Sequence, residues 1–401
     1  MYSRTVQNRI NSINETFKVL VVTGPRQVGK STILEYLMPK GMSKITLDDI
    51  TLRNFAKTDP KQFLETFPAP LFIDEVQYAP ELFPYIKMLV DKNDAKGQYW
   101  LSGSQAFELM KGVTESLAGR AGIIKMNSFS YKEIIGKPFE AIFDIVNPKN
   151  KPAIDINELF RIIFYGGMPA LISNPKMDRN EFYNSYVSTY IERDVKQVKD
   201  IGSIENFRKF MRSLAIRNGT TLNYSNIAKD IGVSDKTIKS WLSVVVNSGI
   251  VYLLEAYSSS KLKSLTSMPK IIFMDSGLAC YLSNFDNAKS LQLSEEAGRF
   301  YEAFVVSEII KNYENNGIRL DISHLRHSEN EEIDIIIRSN NVIHPIEIKK
   351  TSSPKKEMIK NFKILLNTNE KIGVGGLICS YENLIKLDEN NYVYPISSVI
   401  N

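Results

Sequence analysis

The sequence predicts an α/β fold with a mostly parallel sheet. Apolar runs at positions 19–22 and 71–73 are rich in branched and aromatic residues, and glycine or acidic residues end each of them, as for buried strands. Shorter stretches at 44–47 and 98–102 follow the same pattern, and helical patterns such as 82–90 fill the gaps. Strands that alternate with helices require crossover connections, so we expect helices on both faces of the sheet.

The first predicted strand leads into a glycine-rich loop of the kind that binds phosphate. Residues 24–32, GPRQVGKST, contain the pattern G-x-x-x-x-G-K-[ST] before a helical pattern. Glycine lets the backbone curl until several N–H groups converge on a phosphate at the positive end of the next helix. We expect Lys30 to reach the β- and γ-phosphates, and the Ser31 hydroxyl to bind Mg²⁺. The predicted nucleotide-binding residues are Gly24, Pro25, Arg26, Gln27, Val28, Gly29, Lys30, Ser31 and Thr32.

Two acidic residues end the third predicted strand, at the edge of the sheet where the loop is expected. A carboxylate at the carboxyl end of a parallel strand can approach Mg²⁺ while its neighbour polarises a water molecule. We therefore predict Asp74 as the metal-side acid and Glu75 as the general base. Ser104, beyond the fourth strand, has two interpretations: a sensor of the γ-phosphate, or a cap of the helix that follows.

Length and composition favour an intracellular protein with more than one domain. The 401 residues are 43% hydrophobic, which is enough for two or three separate cores. We expect a soluble, cytoplasmic protein, because no apolar run approaches a membrane span and the N-terminus has no signal-peptide character. Cys280 and Cys379 lie in apolar contexts that suit buried thiols, and any metal is expected to have oxygen ligands. The net charge of +5 permits nucleic-acid contact without requiring it.

Residues 222–257 have the pattern of a winged helix-turn-helix. One short helix ends at Gly232, and Ser234 caps a second helix. Strand-like segments at 250–256 and 270–274 would pair as the wing. If the second helix enters a DNA groove, its contacting residues are Lys236, Thr237 and Lys239. The alternative is structural packing, with the module serving as a lid or a protein-docking surface.

The C-terminal region combines a long helical pattern with two strands that carry charged residues. The helix contains Glu302, Asp334 lies at the start of the first strand, and Glu347 and Lys349 share one face of the second. Two carboxylates and a lysine so arranged can hold a divalent metal and position a water for phosphodiester attack. Carboxylates that face each other also repel, so we expect at least one raised pKa.

Lysines concentrate at the end of the second of these strands and along the basic helical pattern that follows. A lysine-rich face is usually just solvated, but beside a phosphodiester site it would also suit a nucleic-acid backbone. These lysines are Lys349, Lys350, Lys355, Lys356, Lys360 and Lys363.

Four motifs in the N-terminal region together resemble an AAA-type P-loop ATPase. GPRQVGKST, LFIDE, LSGSQ and LAGR resemble in particular an uncharacterised prokaryotic ATPase family with a C-terminal domain of unknown function. The resemblance implies an oligomer in which Arg120 enters a neighbouring subunit's site, whereas the alternative is a solvated arginine at a helix end. It also implies a helical lid, where Arg193 would contact phosphate or form a surface ion pair.

The acidic strands resemble the D…E-x-K arrangement of the restriction-endonuclease-like fold. Asp334, Glu347 and Lys349 match that arrangement, and Glu302 matches the acid on the first helix of the fold. The resemblance implies a possible metal site, although such domains can lose activity while they keep the fold.

These predictions define four domains and one principal function. The domains are an AAA-type P-loop ATPase core (1–138), a helical lid (139–202), a winged helix (203–285) and a restriction-endonuclease-like domain (286–401). We expect an ATP-binding, Mg²⁺-dependent ATPase that forms homo-oligomers and acts on, or is regulated by, DNA or RNA. The alternatives are an ATP-gated, metal-dependent nuclease and a nucleotide-controlled protein scaffold with an inactive nuclease-like fold.

Overall fold

Two units, each with its own hydrophobic core, make up the chain in the computed structural model. Unit 1 consists of residues 1–128 with two short segments, 247–249 and 315–317, and unit 2 contains the rest of the chain from residue 129 onward. The structure describes residues 2–104, 106–140, 143–191, 204–258, 267–328 and 331–401.

Unit 1 is built around a five-stranded parallel sheet. Its strands are β1 (Val19–Thr23), β2 (Ser43–Thr46), β3 (Leu71–Asp74), β4 (Tyr99–Gly103) and β5 (Ala121–Lys125). They lie in the order β2-β3-β4-β1-β5, and all neighbouring pairs are parallel. Strand β1 is buried on both faces, because Val19 and Val21 pack into one core while Leu20 and Val22 pack into another. The predicted parallel sheet is confirmed.

Helices cover both faces of this sheet, as predicted. They are α1 (Gln7–Thr16), α2 (Lys30–Leu37), α3 (Ile50–Thr58), α4 (Pro60–Thr66), α5 (Leu82–Lys92) and α6 (Ala106–Ser116), with a 3₁₀ turn at Val76–Tyr78. Helices α1 and α2 pack on one face, and α4, α5 and α6 pack on the other. Local sequence sets the ends of several helices: the Asp49 carboxylate, for example, accepts hydrogen bonds from Thr51 N and Leu52 N at the start of α3.

The first helix begins later than the sequence suggests. The spacing of Val6, Ile10 and Ile13 predicts an amphipathic helix over residues 2–15, but the observed helix starts at Gln7. The preceding segment is held by Arg4, whose guanidinium donates hydrogen bonds to the carbonyl oxygens of Val28 and Asn127 at 2.9 and 2.7 Å. These tertiary contacts fix the backbone before the helix and are invisible to a periodicity argument.

The helices of the region beyond residue 128 share one hydrophobic core. They are α7 (Tyr131–Ile134), α8 (Ile156–Tyr165), α9 (Pro169–Ser173), α10 (Arg179–Tyr186), α11 (Ile204–Ile216), α12 (Tyr224–Ile231), α13 (Asp235–Asn247), α14 (Ser276–Leu282), α15 (Ala288–Leu293), α16 (Ala297–Asn315) and α17 (Ile396–Ile400), with a π-helical turn at Val187–Ile191. A single cluster of buried side chains contains Phe160, Trp241, Phe304 and Tyr394. The three predicted C-terminal domains are therefore joined by continuous packing within unit 2.

Unit 2 contains a two-stranded ribbon and a larger mixed sheet. Strands β6 (Val251–Leu254) and β7 (Lys270–Phe273) pair antiparallel, as predicted for the wing segments. The larger sheet comprises β8 (Asp321–Ser328), β9 (Glu331–Ser339), β10 (Val342–Lys349), β11 (Lys371–Ile372), β12 (Gly375–Cys379), β13 (Ile385–Lys386) and β14 (Asn391–Pro395). Its order is β13-β14-β12-β10-β9-β8, with β11 also paired to β10.

A two-residue turn sets the register between β9 and β10. Asn340 and Asn341 both have positive φ, of 50° and 61°, as a type I′ hairpin turn requires. Ser339 therefore pairs with Val342, and the antiparallel pairing continues as far as Ile335 and Ile346. The next positions along the two strands are Asp334 and Glu347, so the turn brings these acids side by side.

The basic segment after β10 differs in type from the predicted helix. It is a 3₁₀ helix over Lys356–Asn367. Its apolar residues Ile359, Phe362 and Leu365 are spaced by three, and they pack against two clusters on the sheet. A helix with three residues per turn aligns them on one face, whereas an α-helix would rotate them apart.

Three further expectations concern the cysteines, the lid arginine and membrane-spanning segments. Cys280 and Cys379 are both buried and free, as predicted. Arg193, the expected lid arginine, lies outside the described residues. No helix in the described part of the chain combines the length and the apolar character that crossing a membrane requires.

Candidate functional site

The glycine loop and both predicted acids meet at the carboxyl edge of the unit 1 sheet. Strand β4 lies between β1 and β3, with Thr23 level with Gly103 and Leu101 level with Ile73. Neighbouring strands are about 4.8 Å apart, so the loop after β1 is about two strand spacings from Asp74. In parallel sheets ligands bind at this edge. The structure thus brings together the residues that the sequence singles out in unit 1, with the exception of Arg120.

The loop is curled around the Lys30 ammonium. Its Nζ donates hydrogen bonds to the carbonyl oxygens of Gly24 and Pro25, at 3.0 and 2.7 Å. Gly24 has φ 139°, and a Cβ there would lie 2.1 Å from the carbonyl oxygen of Met126. Gly29, with φ 89°, precedes α2 in a left-handed conformation. Only glycine fits these two positions without strain, which explains the motif physically.

Arg4 is a residue of this site that sequence analysis missed. Its side chain is buried, and it connects the loop carbonyl of Val28 to that of Asn127, which follows β5. Three chain segments that are far apart in sequence are therefore fixed together beside the loop. No local pattern around Arg4 signals this role.

Glu75 has a strained backbone that aims its carboxylate. Its φ and ψ are 55° and 41°, a left-handed conformation that is unfavourable for a residue with a Cβ. The carboxylate accepts hydrogen bonds from the Gln77 amide and, at 3.1 Å, from the Ser104 hydroxyl. Strain of this kind persists where the surroundings impose it, and it concentrates at functional sites. The Ser104 hydroxyl thus contacts the predicted general base.

Asp74 is buried at the end of β3 and is held by Ser102. The Ser102 hydroxyl donates a hydrogen bond to Asp74 Oδ1. Serine and aspartate come from adjacent parallel strands at the same level, so the sheet itself fixes their relative position. The hydrogen bond orients the carboxylate and leaves its second oxygen for a ligand.

Arg120 is engaged in an ion pair within its own chain. Its Nε and Nη2 donate to the two carboxylate oxygens of Asp91 at 2.6 and 2.9 Å, and its Nη1 donates to the carbonyl oxygen of Ala118. The hydrogen bond from Arg120 lowers the pKa of Asp91. Both side chains are partly exposed. Arg120 would have to exchange this partner in order to serve a neighbouring subunit.

The residues at this edge fit a nucleoside triphosphate with Mg²⁺. The first turn of α2 presents backbone N–H groups that have no intrahelical acceptor, and Lys30 adds a positive charge. Thr23 Oγ1 and Gln77 Oε1 are buried here and have no hydrogen-bond partner among the described residues. Such groups are usually completed by water or ligand. Ser31 and Asp74 carry oxygen atoms of the hard kind that Mg²⁺ prefers, so these two residues would hold the ion.

Comparison with protein families supports the same class for unit 1. Residues 16–135 match the family described as an AAA domain. Residues 156–289 and 297–399 match two families described as domains of unknown function, DUF8612 and DUF4143. The parallel sheet, the glycine loop and the first match together define an AAA-type P-loop ATPase fold for unit 1.

Two relatives in sequence are described as uncharacterized proteins. Uncharacterized proteins of Mycobacterium bovis and Mycobacterium tuberculosis are each 25% identical over 338 residues, which is 84% of this chain and 71% of theirs. Among solved structures, a Walker-type ATPase of Pyrococcus abyssi has 13% identity and a TM-score of 0.45, covering 70% of this chain and 96% of its own. The RuvB Holliday junction branch migration motor of Thermotoga maritima has 16% identity and a TM-score of 0.32, covering 65% and 94%. These low TM-scores support no inference about function.

A second group of charged side chains lies in unit 2, where the sequence predicts the D…E-x-K arrangement. Lys349 Nζ lies 2.6 Å from Glu347 Oε1 and 3.3 Å from Asp334 Oδ2. The backbone N–H of Ile348 donates to Asp334 Oδ2 at 2.8 Å. Asp334, Glu347 and Lys349 therefore converge on one side of the sheet, as predicted.

Two members of this group were not predicted from sequence. Lys270, at the start of β7, has its Nζ 2.7 Å from Glu302 Oε1, 2.5 Å from Glu332 Oε1 and 3.9 Å from Asp334 Oδ1. We call the six residues the charged cluster: Lys270, Glu302, Glu332, Asp334, Glu347 and Lys349. Glu332 could have been found from its position two residues before Asp334, but nothing in the sequence near Lys270 connects it to this sheet.

Burial and like charge shift the pKa values within the charged cluster. Burial, together with Asp334, raises the pKa of Glu302 to about 7 and that of Glu347 to about 8. Burial acts to lower the pKa of Lys270, but the surrounding carboxylates outweigh it and raise that pKa. The raised pKa that the sequence predicts is therefore present at both Glu302 and Glu347.

The basic side chains for which the sequence leaves open either nucleic-acid contact or a structural or solvated role are exposed on unit 2. Lys236 and Lys239 are exposed near the start of α13, where the Ser234 hydroxyl caps the helix by accepting from Thr237 N at 3.1 Å. Lys239 Nζ lies 5.3 Å from the ring centre of Tyr224. A further exposed group consists of Lys350, Lys355, Lys356, Lys360 and Lys363, of which Lys356, Lys360 and Lys363 border an open depression of about 610 Å³.

Proposed function

We propose that this protein is a Mg²⁺-dependent ATPase whose hydrolytic site is the carboxyl edge of the unit 1 sheet. The observation that carries the proposal is the constellation at this edge: the curled glycine loop around Lys30, and Glu75 held in a strained conformation two strands away. Each part taken alone is common, but a phosphate cradle beside an oriented carboxylate suits attack of water on a γ-phosphate.

The residues have distinct roles in this proposal. Lys30 would leave its loop carbonyls for the β- and γ-phosphates, while the loop N–H groups bind the β-phosphate. Glu75, oriented by Gln77 and Ser104, accepts a proton from the attacking water. Ser31 and Asp74 would hold Mg²⁺, and the ion would supply positive charge beside the phosphates.

Replacement of Lys30 by alanine is expected to abolish nucleotide binding. The substitution removes the only side-chain cation of the GKST segment and the two hydrogen bonds that hold the loop curled. Binding of a fluorescent ATP analogue measures the effect directly. Lys44→Ala is a matched control, because Lys44 lies on edge strand β2 and pairs with Glu35. Unchanged affinity in Lys30→Ala, with Lys44→Ala also unchanged, would contradict the assignment of the loop.

We further infer that unit 2 couples ATP turnover to nucleic acid and that the protein acts as a homo-oligomer. The exposed lysines of α13 and of the 3₁₀ helix support a contact with a phosphate backbone. DNA or RNA is expected to change kcat at low salt, and substitution of Lys356, Lys360 and Lys363 by glutamine to reduce this effect. Turnover that is indifferent to both nucleic acids at low salt would contradict the coupling and favour a protein partner.

A further inference from the structure

We propose that Lys270 is the resident cation of the charged cluster, and that its ammonium group closes this cluster to divalent metal ions. The D…E-x-K resemblance implies a metal held by Glu302, Asp334 and Glu347. The residues present do not fit one, because an ammonium group from β7 already lies against the carboxylates. This inference concerns unit 2 and is independent of the ATPase site.

The two ammonium groups of the charged cluster lie against the carboxylates that would bind a metal. Lys270 contacts one oxygen each of Glu302 and Glu332 and faces Oδ1 of Asp334, while Lys349 faces Oδ2 of Asp334 and one oxygen of Glu347. Asp334, which would be the central ligand, therefore lies between two positive charges. A divalent ion at this place would be repelled by both of them at short range.

Lys270 cannot easily move aside. Its side chain is 2% exposed. Its backbone is paired with Leu254 in the ribbon and bridged to Thr221 on the other side. Because the side chain is buried and the backbone is fixed on both sides, movement of the ammonium away from the carboxylates would leave an unpaired buried charge, which is costly.

Contacts with the two ammonium groups occupy one oxygen each of Glu302, Glu332 and Glu347. Mg²⁺ and Mn²⁺ prefer near-octahedral oxygen coordination, usually with one or two carboxylates and several waters. Glu347 Oε2 is buried without a hydrogen-bond partner among the described residues, and the other carboxylate oxygen of Glu347 contacts Lys349. In the described ranges, no group of three or more His, Cys, Asp or Glu side chains is arranged to hold a metal ion.

Mn²⁺ binding, followed through the electron paramagnetic resonance of free Mn²⁺, tests the proposal. The protein is the full chain with Lys30→Ala and without nucleotide, so that the unit 1 site does not contribute. No site that depends on the cluster is expected in this protein. Addition of Lys270→Met keeps the length of the side chain but removes its charge. The double variant should gain a Mn²⁺ site in the cluster, with an affinity at least about tenfold higher than any Mn²⁺ binding by the Lys30→Ala protein, since a buried like charge has been removed.

Two further variants make the outcome specific. Lys311→Met removes another buried lysine, paired with Glu308 on α16, and should create no Mn²⁺ site. Glu302→Gln added to Lys270→Met should abolish the new site. Circular dichroism verifies that the Lys270→Met protein is folded. If the folded protein gains no Mn²⁺ site, the proposal is overturned.

The protein with native Lys270 decides the question if Lys270→Met does not fold. In that case Mn²⁺ binding is compared between the Lys30→Ala protein and the same protein with Glu347→Gln. Equal binding in the two supports the proposal, because the cluster then contributes no ligand. A Mn²⁺ site that is lost with Glu347→Gln overturns it, since the cluster would bind metal despite Lys270.

Discussion

Replacement of Glu75 by glutamine is expected to lower kcat for ATP hydrolysis by at least about a hundredfold, the usual scale for loss of a general base. Glutamine keeps the shape of the side chain and can hydrogen-bond to Ser104, but it cannot accept a proton from water. Nucleotide affinity should therefore persist, and binding of a fluorescent ATP analogue beside steady-state turnover separates the two quantities.

A neighbouring glutamate supplies the control for this experiment. Glu81 lies just before α5, is exposed, and should tolerate glutamine without a change in turnover. Ser104→Ala should have a smaller effect than Glu75→Gln, because it removes one of the hydrogen bonds that orient the carboxylate. If Glu75→Gln hydrolyses ATP as fast as the native protein, Glu75 has no part in the chemistry.

Replacement of Arg120 by alanine is expected to lower turnover by about 10³-fold if the arginine acts in a neighbouring subunit, as arginines supplied in trans commonly do. Mixing this variant with Lys30→Ala should then restore part of the activity. Each variant supplies what the other lacks: an intact loop in one subunit, and an intact arginine in the next. Turnover as a function of mixing ratio, at constant total protein, measures the restoration.

The ion pair with Asp91 provides a test against a purely structural role. Asp91→Asn weakens the contact that holds Arg120 within its own chain. If Arg120 serves a neighbour, the Asp91→Asn protein should retain its turnover, because the arginine is released rather than lost. If Arg120 only stabilises its own subunit, Asp91→Asn and Arg120→Ala should be impaired alike, and no mixture with Lys30→Ala should recover activity.

The parts of unit 1 that were predictable from sequence are those encoded by contiguous residues. Gly24 and Gly29 predict the loop, because the required backbone conformations exclude other residues. An apolar run that ends in Asp74 predicts the edge of the sheet. The left-handed conformation of Glu75 could not be predicted, because Glu has no preference for it. Arg4 was missed for a related reason: its partners lie 24 and 123 residues away.

In the charged cluster, too, the features encoded by neighbouring residues were predictable and the contacts between distant residues were not. The period of two along β9 and β10 placed Asp334, Glu347 and Lys349 on one side, and the Asn340–Asn341 turn fixes the register on which this depends. Lys270 comes from a different sheet, and its contact with Glu302 spans 32 residues. The motif match therefore found Glu302, Asp334, Glu347 and Lys349 but not Lys270, and the sequence alone left a metal site as one possibility.

The continuous core of unit 2 determines where this chain can be cut. The family matches end and begin at residues 289 and 297, which suggests a convenient place to divide the protein. A fragment that ends there would keep Phe160 and Trp241 but lose Phe304 and Tyr394, which belong to the same buried cluster. The exposed remainder would be an apolar surface prone to aggregation. The boundary between the two family matches therefore does not separate two independent hydrophobic cores.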